Sequence, residues 1–410
     1  MSRISEVVAP SRLGLGFRWL LASSWTSNLG DGIALAAGPL LVASLTRDPF
    51  LVSLAAGVQW LPPLLFGLLA GAVTDRVDRR LLVVLVDLLR AAVLVVLTLA
   101  VATDLVTIAG VLVALFVLGT AEVFADNSSQ TLLPTLVHRD DLAVGNARMM
   151  TGFITVNQLA GPPLGAALFT VGAAWAFGAV AVLVALGAVL VSRIVLPPAE
   201  RTERGPVHTE IVEGFRWVRH HPAVRTLVLT IFSFNLTFGA AWSVLVLYAT
   251  QRLGLGEIGF GLVTTAQAVG GILGIAAYGW ITARVSLGNL LRVGLVVETL
   301  THLALALTTS PWVAMPVFVV FGAHAFVWGT TSVTVRQRAV PRHLQGRVGS
   351  VNLVGTFGGL VIGAGIGGLV AQRFGVTGPF WFAFAGSALF VVLIWGQLRH
   401  VAHADEAPPA

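Results

Sequence analysis

Residues 71–80 read Gly71-Ala72-Val73-Thr74-Asp75-Arg76-Val77-Asp78-Arg79-Arg80, five charges in ten positions. The chain that carries them is 11% charged and 56% hydrophobic over 410 residues, with a mean hydropathy of +0.88. Soluble domains carry about a quarter charged residues. This chain therefore has too few polar side chains to cover a water-facing surface. It reads as a multi-span membrane protein, and the charged decapeptide as a loop between two spans.

All 25 basic residues are arginine. A pI near 11.2 raises the prospect of nucleic acid. The arginines are scattered between apolar spans and form no patch, so no nucleic-acid partner is expected. There is no cysteine, which excludes disulfides and thiolate metal sites. The apolar run from Phe17 to Leu45 is too long for a signal-peptide core and reads as the first span.

A helix needs about 20 residues to cross a hydrocarbon core of about 30 Å. Twelve segments qualify: 17–44, 50–73, 81–102, 105–127, 145–169, 173–196, 223–250, 258–282, 287–308, 312–335, 348–371 and 377–399. In lipid the backbone must bond internally, so these are expected to be helices; barrel strands would be shorter and alternating. The loops near 76–80, 139–148, 193–225, 284–292 and 336–347 are rich in arginine, whereas the opposite loops hold only Arg47, Arg252 and Arg373. The positive-inside rule then puts both termini in the cytoplasm, in what reads as a bacterial inner membrane.

The polar stretch 197–222 opens with two prolines and closes on His221-Pro222, with Ile211, Phe215 and Val218 at helical spacing. It reads as a linker with an amphipathic helix at the membrane surface. The expected organisation is a six-helix half at 1–196, the linker at 197–222, and a second half at 223–410 ending in a short disordered tail. "GAVTDRVDRRLL" has a worn counterpart in "GWITARVSLGNLL": Gly71 aligns with Gly279 and Arg76 with Arg284. The fold class is thus all-α, twelve transmembrane helices in two pseudo-symmetric halves, a transporter architecture.

The 71–80 stretch resembles the loop motif G-x-x-x-D-R-x-G-R-R/K of major facilitator superfamily transporters, with Asp78 where the family more often has glycine. That departure, with the stretches at 29–49, 132–147 and 346–352, resembles the branch of enterobactin exporters and macrolide-efflux pumps. The resemblance implies a gating role for Gly71, Asp75, Arg76, Arg79, Arg80 and Asp126. Gly71 would let helices approach closely. Asp75 would meet a helix N-terminus near Arg347–Ser350, where the macrodipole favours a carboxylate. Arg79 would reach Asp126. The alternative is a basic loop that only fixes topology. "NQLAGPPLGAAL" at 157–168 resembles a helix-5 pattern of exporters, matching at Gly161, Pro162 and Gly165; the alternative is generic packing of small residues.

Ionisable residues inside a membrane are costly and so are functional candidates. Asp31 lies about 20 Å along a helix from Arg18 and is the first candidate for the coupling proton, or else a carboxyl bonding a neighbouring helix. Glu122, one turn from Asp126, is the second. Glu298 and His302 share a face and read as a structural pair; Asp87 and Arg90 are expected to snorkel or pair. Trp25, Asn28, Asn235, Trp242, His324 and Trp328 fall on spans that line the path in this family. The glycine-rich run at 355–370 reads as helix packing, not a nucleotide loop. No metal geometry, cofactor motif or nucleophile–base set is found, so no metal, cofactor or enzymatic activity is expected. The leading reading is a monomeric, proton-coupled exporter of a hydrophobic or amphiphilic small molecule: a drug, macrolide or siderophore. The alternatives are an uptake symporter or a non-transporting sensor on the same fold.

Overall fold

A computed structural model describes residues 10–74, 76–196, 207–341 and 344–397. The first six helices are α1 (Gly14–Leu45), α2 (Pro49–Thr74), α3 (Arg79–Ala102), α4 (Ile108–Leu136), α5 (Leu142–Gly152, Phe153–Ala160 and Gly161–Val171) and α6 (Ala173–Ser192). A connecting helix, Val207–His220, follows. Then come α7 (Pro222–Trp242, continued by Leu245–Leu247 and Tyr248–Arg252), α8 (Glu257–Thr282), α9 (Leu287–Leu307), α10 (Pro311–Ala339), α11 (Gln345–Phe374) and α12 (Gly378–Ile394). Among the described residues, ten of these helices are long and apolar enough to cross a membrane. The two others are α5, interrupted by its middle segment, and α12, which has 17 residues.

Hydropathy located the spans but not the helix ends. α4 runs to Leu136 with Pro134 inside it, well past the expected edge at 127. Polar side chains leave the hydrocarbon there, but nothing in Asn127–Thr131 stops a helix. Asp78, which stands where the resembling loop motif more often has glycine, has φ −65° and caps α3 by accepting from Leu81 N at 3.1 Å. An aspartate serves as well as glycine there or better.

α3 is amphipathic inside out. Val83, Asp87, Arg90, Ala91, Leu94 and Leu97 are buried, while Leu81, Leu85, Leu88, Val96 and Leu99 are exposed. In water that arrangement would be unstable; against lipid the leucines are solvated and the charges find partners inside.

Contacts divide the chain into two compact units. One holds Met1–Leu45, Leu65–Arg204 and Glu257–Thr265; the other holds Thr46–Leu64, Gly205–Gly256 and Ala266–Ala410. They do not follow chain order, because the first part of α2 packs on α11 and the start of α8 packs on α5. In the first unit a core of Phe17, Leu20, Leu21, Leu132, Leu133, Val191 and Ile194 joins α1, α4 and α6.

In the second unit the connecting helix lies on α11. Val218 packs with Val224, Val340, Val348 and Val351, Trp217 stacks on His221 at 4.6 Å, and Glu213 ion-pairs with Arg347. Phe215, expected on the same face as Val218, is 61% exposed. The side chain of Ile211 and the linker at 197–206 lie outside the described residues.

The glycine-rich run is a helix-packing stripe. Gly359, Gly363 and Gly367 recur every four residues on α11 and meet the backbone of α7 at Phe232, Leu236 and Ala240. A Cβ at Gly363 would stand 3.0 Å from Ala240 N and closer still to Leu236 O, whereas one at Gly365 would meet nothing within 4 Å. Gly363→Leu should therefore prevent recovery of monodisperse protein in detergent, and Gly365→Leu should not. Size-exclusion profiles of the two variants check this; equal profiles would remove the stripe's role.

Candidate functional site

The first unit is organised around one buried cation. Arg90 on α3 is 5% exposed and Asp87 is 3% exposed. Arg90 Nη1 donates to Asp87 Oδ1 at 3.0 Å, and Nη2 donates to Asp31 Oδ1 on α1. Glu122 and Asp126 on α4 also lie close enough to act on Arg90 electrostatically. Arg90 sits eleven residues into α3, about 16 Å along it and hence near the middle of a core about 30 Å thick. Two carboxylates thus bond the guanidinium, and two more lie within electrostatic range of it. Its Nε has no hydrogen-bond partner among the described residues.

The sequence singled out Asp31, Glu122 and Asp126 separately, and set Asp87 and Arg90 aside as a snorkelling or paired couple. They do pair, and the structure brings all five residues together. The signal that could have found this was the helical face: Val83, Asp87, Arg90, Leu94 and Leu97 share one side of α3. Asp126 belongs to the electrostatic environment of Arg90, while Arg79 Nη1 donates to Thr131 O at 3.3 Å, over one turn further along α4.

The rest of the charged loop ties helix ends together. Arg80 Nη1 donates to Ile194 O at 2.9 Å, just beyond the C-terminus of α6, where carbonyls lack intrahelical partners. Arg76 is exposed. Asp75 lies outside the described residues. The close approach expected at Gly71 is not made: a Cβ there would meet nothing within 4 Å among the described residues. The face of α2 that packs on α4 is set instead by Ala70 and Thr74, whose hydroxyl lies 3.2 Å from Ser128 Oγ.

α5 contains a π-helical turn at Phe153–Ala160. Its cause is local, because Pro162 and Pro163 supply no N–H to the preceding turn. Leu159 O, the i−4 carbonyl of Pro163, accepts instead from Thr265 Oγ1 on α8 at 3.1 Å. Gly161 and Gly165 bring α5 onto the backbone of α1 at Gly32 and Ile33. Asn157, where the exporter pattern has its first glycine, donates to Asn28 O at 3.2 Å. Trp25 likewise packs on α5, donating to Arg148 O at 3.2 Å.

The second unit holds a cavity of about 330 Å³, bordered by Asn235, Phe238, Gln267, Glu298, His324 and Trp328 among others. Of the predicted path residues, Asn235, His324 and Trp328 line it. Trp242 stands behind it, stacked on Phe238 at 4.4 Å with Nε1 donating to Gln267 Oε1 at 3.3 Å. The expected Glu298–His302 pair is not formed. Glu298 Oε2 lies 3.4 Å from His324 Nε2 on α10. His302 is fully buried against Trp242, and neither ring nitrogen has a partner among the described residues. One turn of spacing gives a shared face, but α10 supplies a nearer partner. Gln267 was not foreseen; a lone glutamine in an apolar span was the available signal.

A family model described as transmembrane secretion effector, within the major facilitator class, matches residues 6–409. The chain belongs to that family. Family membership makes it a multi-pass membrane protein and a secondary transporter of a small molecule. It is 30% identical over 400 residues to the multidrug efflux pump Tap of Mycolicibacterium fortuitum, a match covering 91% of each chain. The fold is similar to that of a point mutant of the nucleoside transporter NupG, with TM-score 0.78, 11% identity, and 93% of this chain and 99% of that one covered. It is also similar to a bacterial homologue of the iron transporter ferroportin, with TM-score 0.76, 15% identity, and 94% and 99% covered.

In this transporter, Arg90→Gln would leave its carboxylates facing one another without a cation. Breaking a buried pair in this way costs about 3–5 kcal/mol. Adding Asp31→Asn should recover part of that loss, since the two residues share one network. Thermal unfolding in detergent checks both; a double variant no more stable than Arg90→Gln alone would show that Asp31 is not held by Arg90.

Proposed function

We propose that the chain is a proton-coupled exporter of a hydrophobic or amphiphilic small molecule. The observation that carries the reading is the mid-membrane cluster in which Asp31, Asp87, Glu122 and Asp126 outnumber the one cation, Arg90. Negative charge in excess cannot stay uncompensated in a medium that solvates ions poorly. Protons arriving from one side and leaving to the other are a natural compensation. Asp31 is the carrier of choice, because it sits on α1, is the more exposed of the acids bonded to Arg90, and can trade the guanidinium for a proton. Glu122 is the second carrier. The efflux pump to which the chain is similar supports export.

The reading is tested in proteoliposomes under an imposed pH gradient with ethidium, rhodamine 6G and Nile red as cargo. Wild type should accumulate at least one dye against its gradient. Asp31→Asn should abolish accumulation while retaining downhill exchange, and Glu122→Gln should impair it. Accumulation by Asp31→Asn at the wild-type rate would make Asp31 a structural carboxyl. Failure of wild type to move any dye would overturn the reading as a proton-coupled exporter of amphiphiles.

We further infer from the arginine asymmetry that both termini face the cytoplasm. The absence of cysteine allows single-cysteine labelling of intact cells with an impermeant maleimide. Leu105→Cys, at an exposed site between α3 and α4, should label; Val195→Cys, at an exposed site after α6, should label only after lysis. The reverse pattern would invert the topology.

A further inference from the structure

We propose that the cavity of the second unit binds an aromatic organic cation, with Glu298 as the counter-charge. Two charge centres among the described residues, at Arg90 and at Glu298, differ in what they lack. Around Arg90 the acids already have a guanidinium. Glu298 has none: among the described residues its carboxylate is met only by the His324 ring, at 3.4 Å, longer than an ordinary hydrogen bond. A carboxylate in an apolar interior calls for a stronger partner than that, and Glu298 borders a cavity that can admit one.

The walls define the rest of the ligand. Phe234, Phe238, Phe321 and Trp328 border the cavity, and Phe238 and Phe321 lie parallel with centroids 5.7 Å apart. Aromatic faces attract cations and stack on rings, and repel anions. Asn235 and Gln267 add a few neutral polar groups to a mainly apolar lining, the usual composition of a small-molecule site. Gly294 gives the dyad its room: a Cβ there would stand 2.5 Å from Trp328 Cδ1 and 3.0 Å from His324 Cε1. The site therefore selects by charge sign. A lipophilic cation satisfies Glu298, while an anion of the same shape leaves two negative charges together. The proposal rests on the transport reading only in naming the ligand as cargo; binding is measured without transport.

The test is equilibrium binding of tetraphenylphosphonium, the smaller methyltriphenylphosphonium, and the near-isosteric anion tetraphenylborate to purified full-length protein in detergent. Wild type should bind at least one phosphonium and should bind it at least about tenfold more tightly than the borate. Glu298→Gln, which keeps shape and removes charge, should weaken phosphonium binding about tenfold or more, because the attraction lost is that of an ion pair in a poorly solvating cavity. Equal affinity for cation and borate in wild type overturns the proposal without any variant, as does absence of phosphonium binding. Unchanged phosphonium binding by a monodisperse Glu298→Gln protein overturns Glu298 as the counter-charge. A protein that binds phosphonium but moves no dye leaves this site standing and overturns the export reading; one that pumps dyes but binds no phosphonium does the reverse.

Discussion

An arginine buried near the middle of a membrane is the constraint on which the first unit depends. Arg90 is tolerable only because α1, α3 and α4 bring carboxylates to it. Those carboxylates are tolerable only because Arg90 is there. The requirement fixes which face of α3 turns inward, and so which leucines meet lipid. It also ties the rotation of α1 to that of α3, since Asp31 must point at the guanidinium while Gly32 and Ile33 accept the close approach of α5. Packing and charge placement thereby become one problem, and a change in the charge state of Asp31 is felt by three helices.

The second unit repeats the plan with the sign reversed. The offset of 208 positions that takes Arg76 to Arg284 also takes Arg90 to Glu298. At positions 208 apart on α3 and α9, one unit thus places a cation among acids, and the other places an acid beside a histidine ring and an aromatic-lined cavity. We regard the first as the place for protons and the second as the place for cargo.

Much of this was legible in the sequence. Twelve helices match the twelve apolar segments, ten of them long and apolar enough to cross a membrane among the described residues, and the connecting helix was legible too, although Phe215 does not share the buried face of Val218. The loop at 71–80 and the Gly161-Pro162 pattern pointed to the transporter family. Pairings across helices were not legible. Glu298 and His302 share a face, yet Glu298 reaches His324, because distance between helices outranks spacing within one. Gly71 fits its motif, but the packed face of α2 belongs to Ala70 and Thr74. The π-helical turn in α5 could have been suspected from Pro162-Pro163, since two successive prolines deny donors to the turn before them. Its rescue by Thr265, a hundred residues away in sequence, could not.

The central claim is that the acids around Arg90 exchange protons as cargo moves, and the most direct measurement is of the protons themselves. Proteoliposomes carrying a trapped pH-sensitive dye can record lumenal pH when a transported amphiphile is added, with the membrane potential clamped. The account predicts cargo-dependent proton flux in wild type and none in an Asp31→Asn, Glu122→Gln double variant that still exchanges cargo downhill. Cargo-dependent proton flux of undiminished size in that double variant would contradict it.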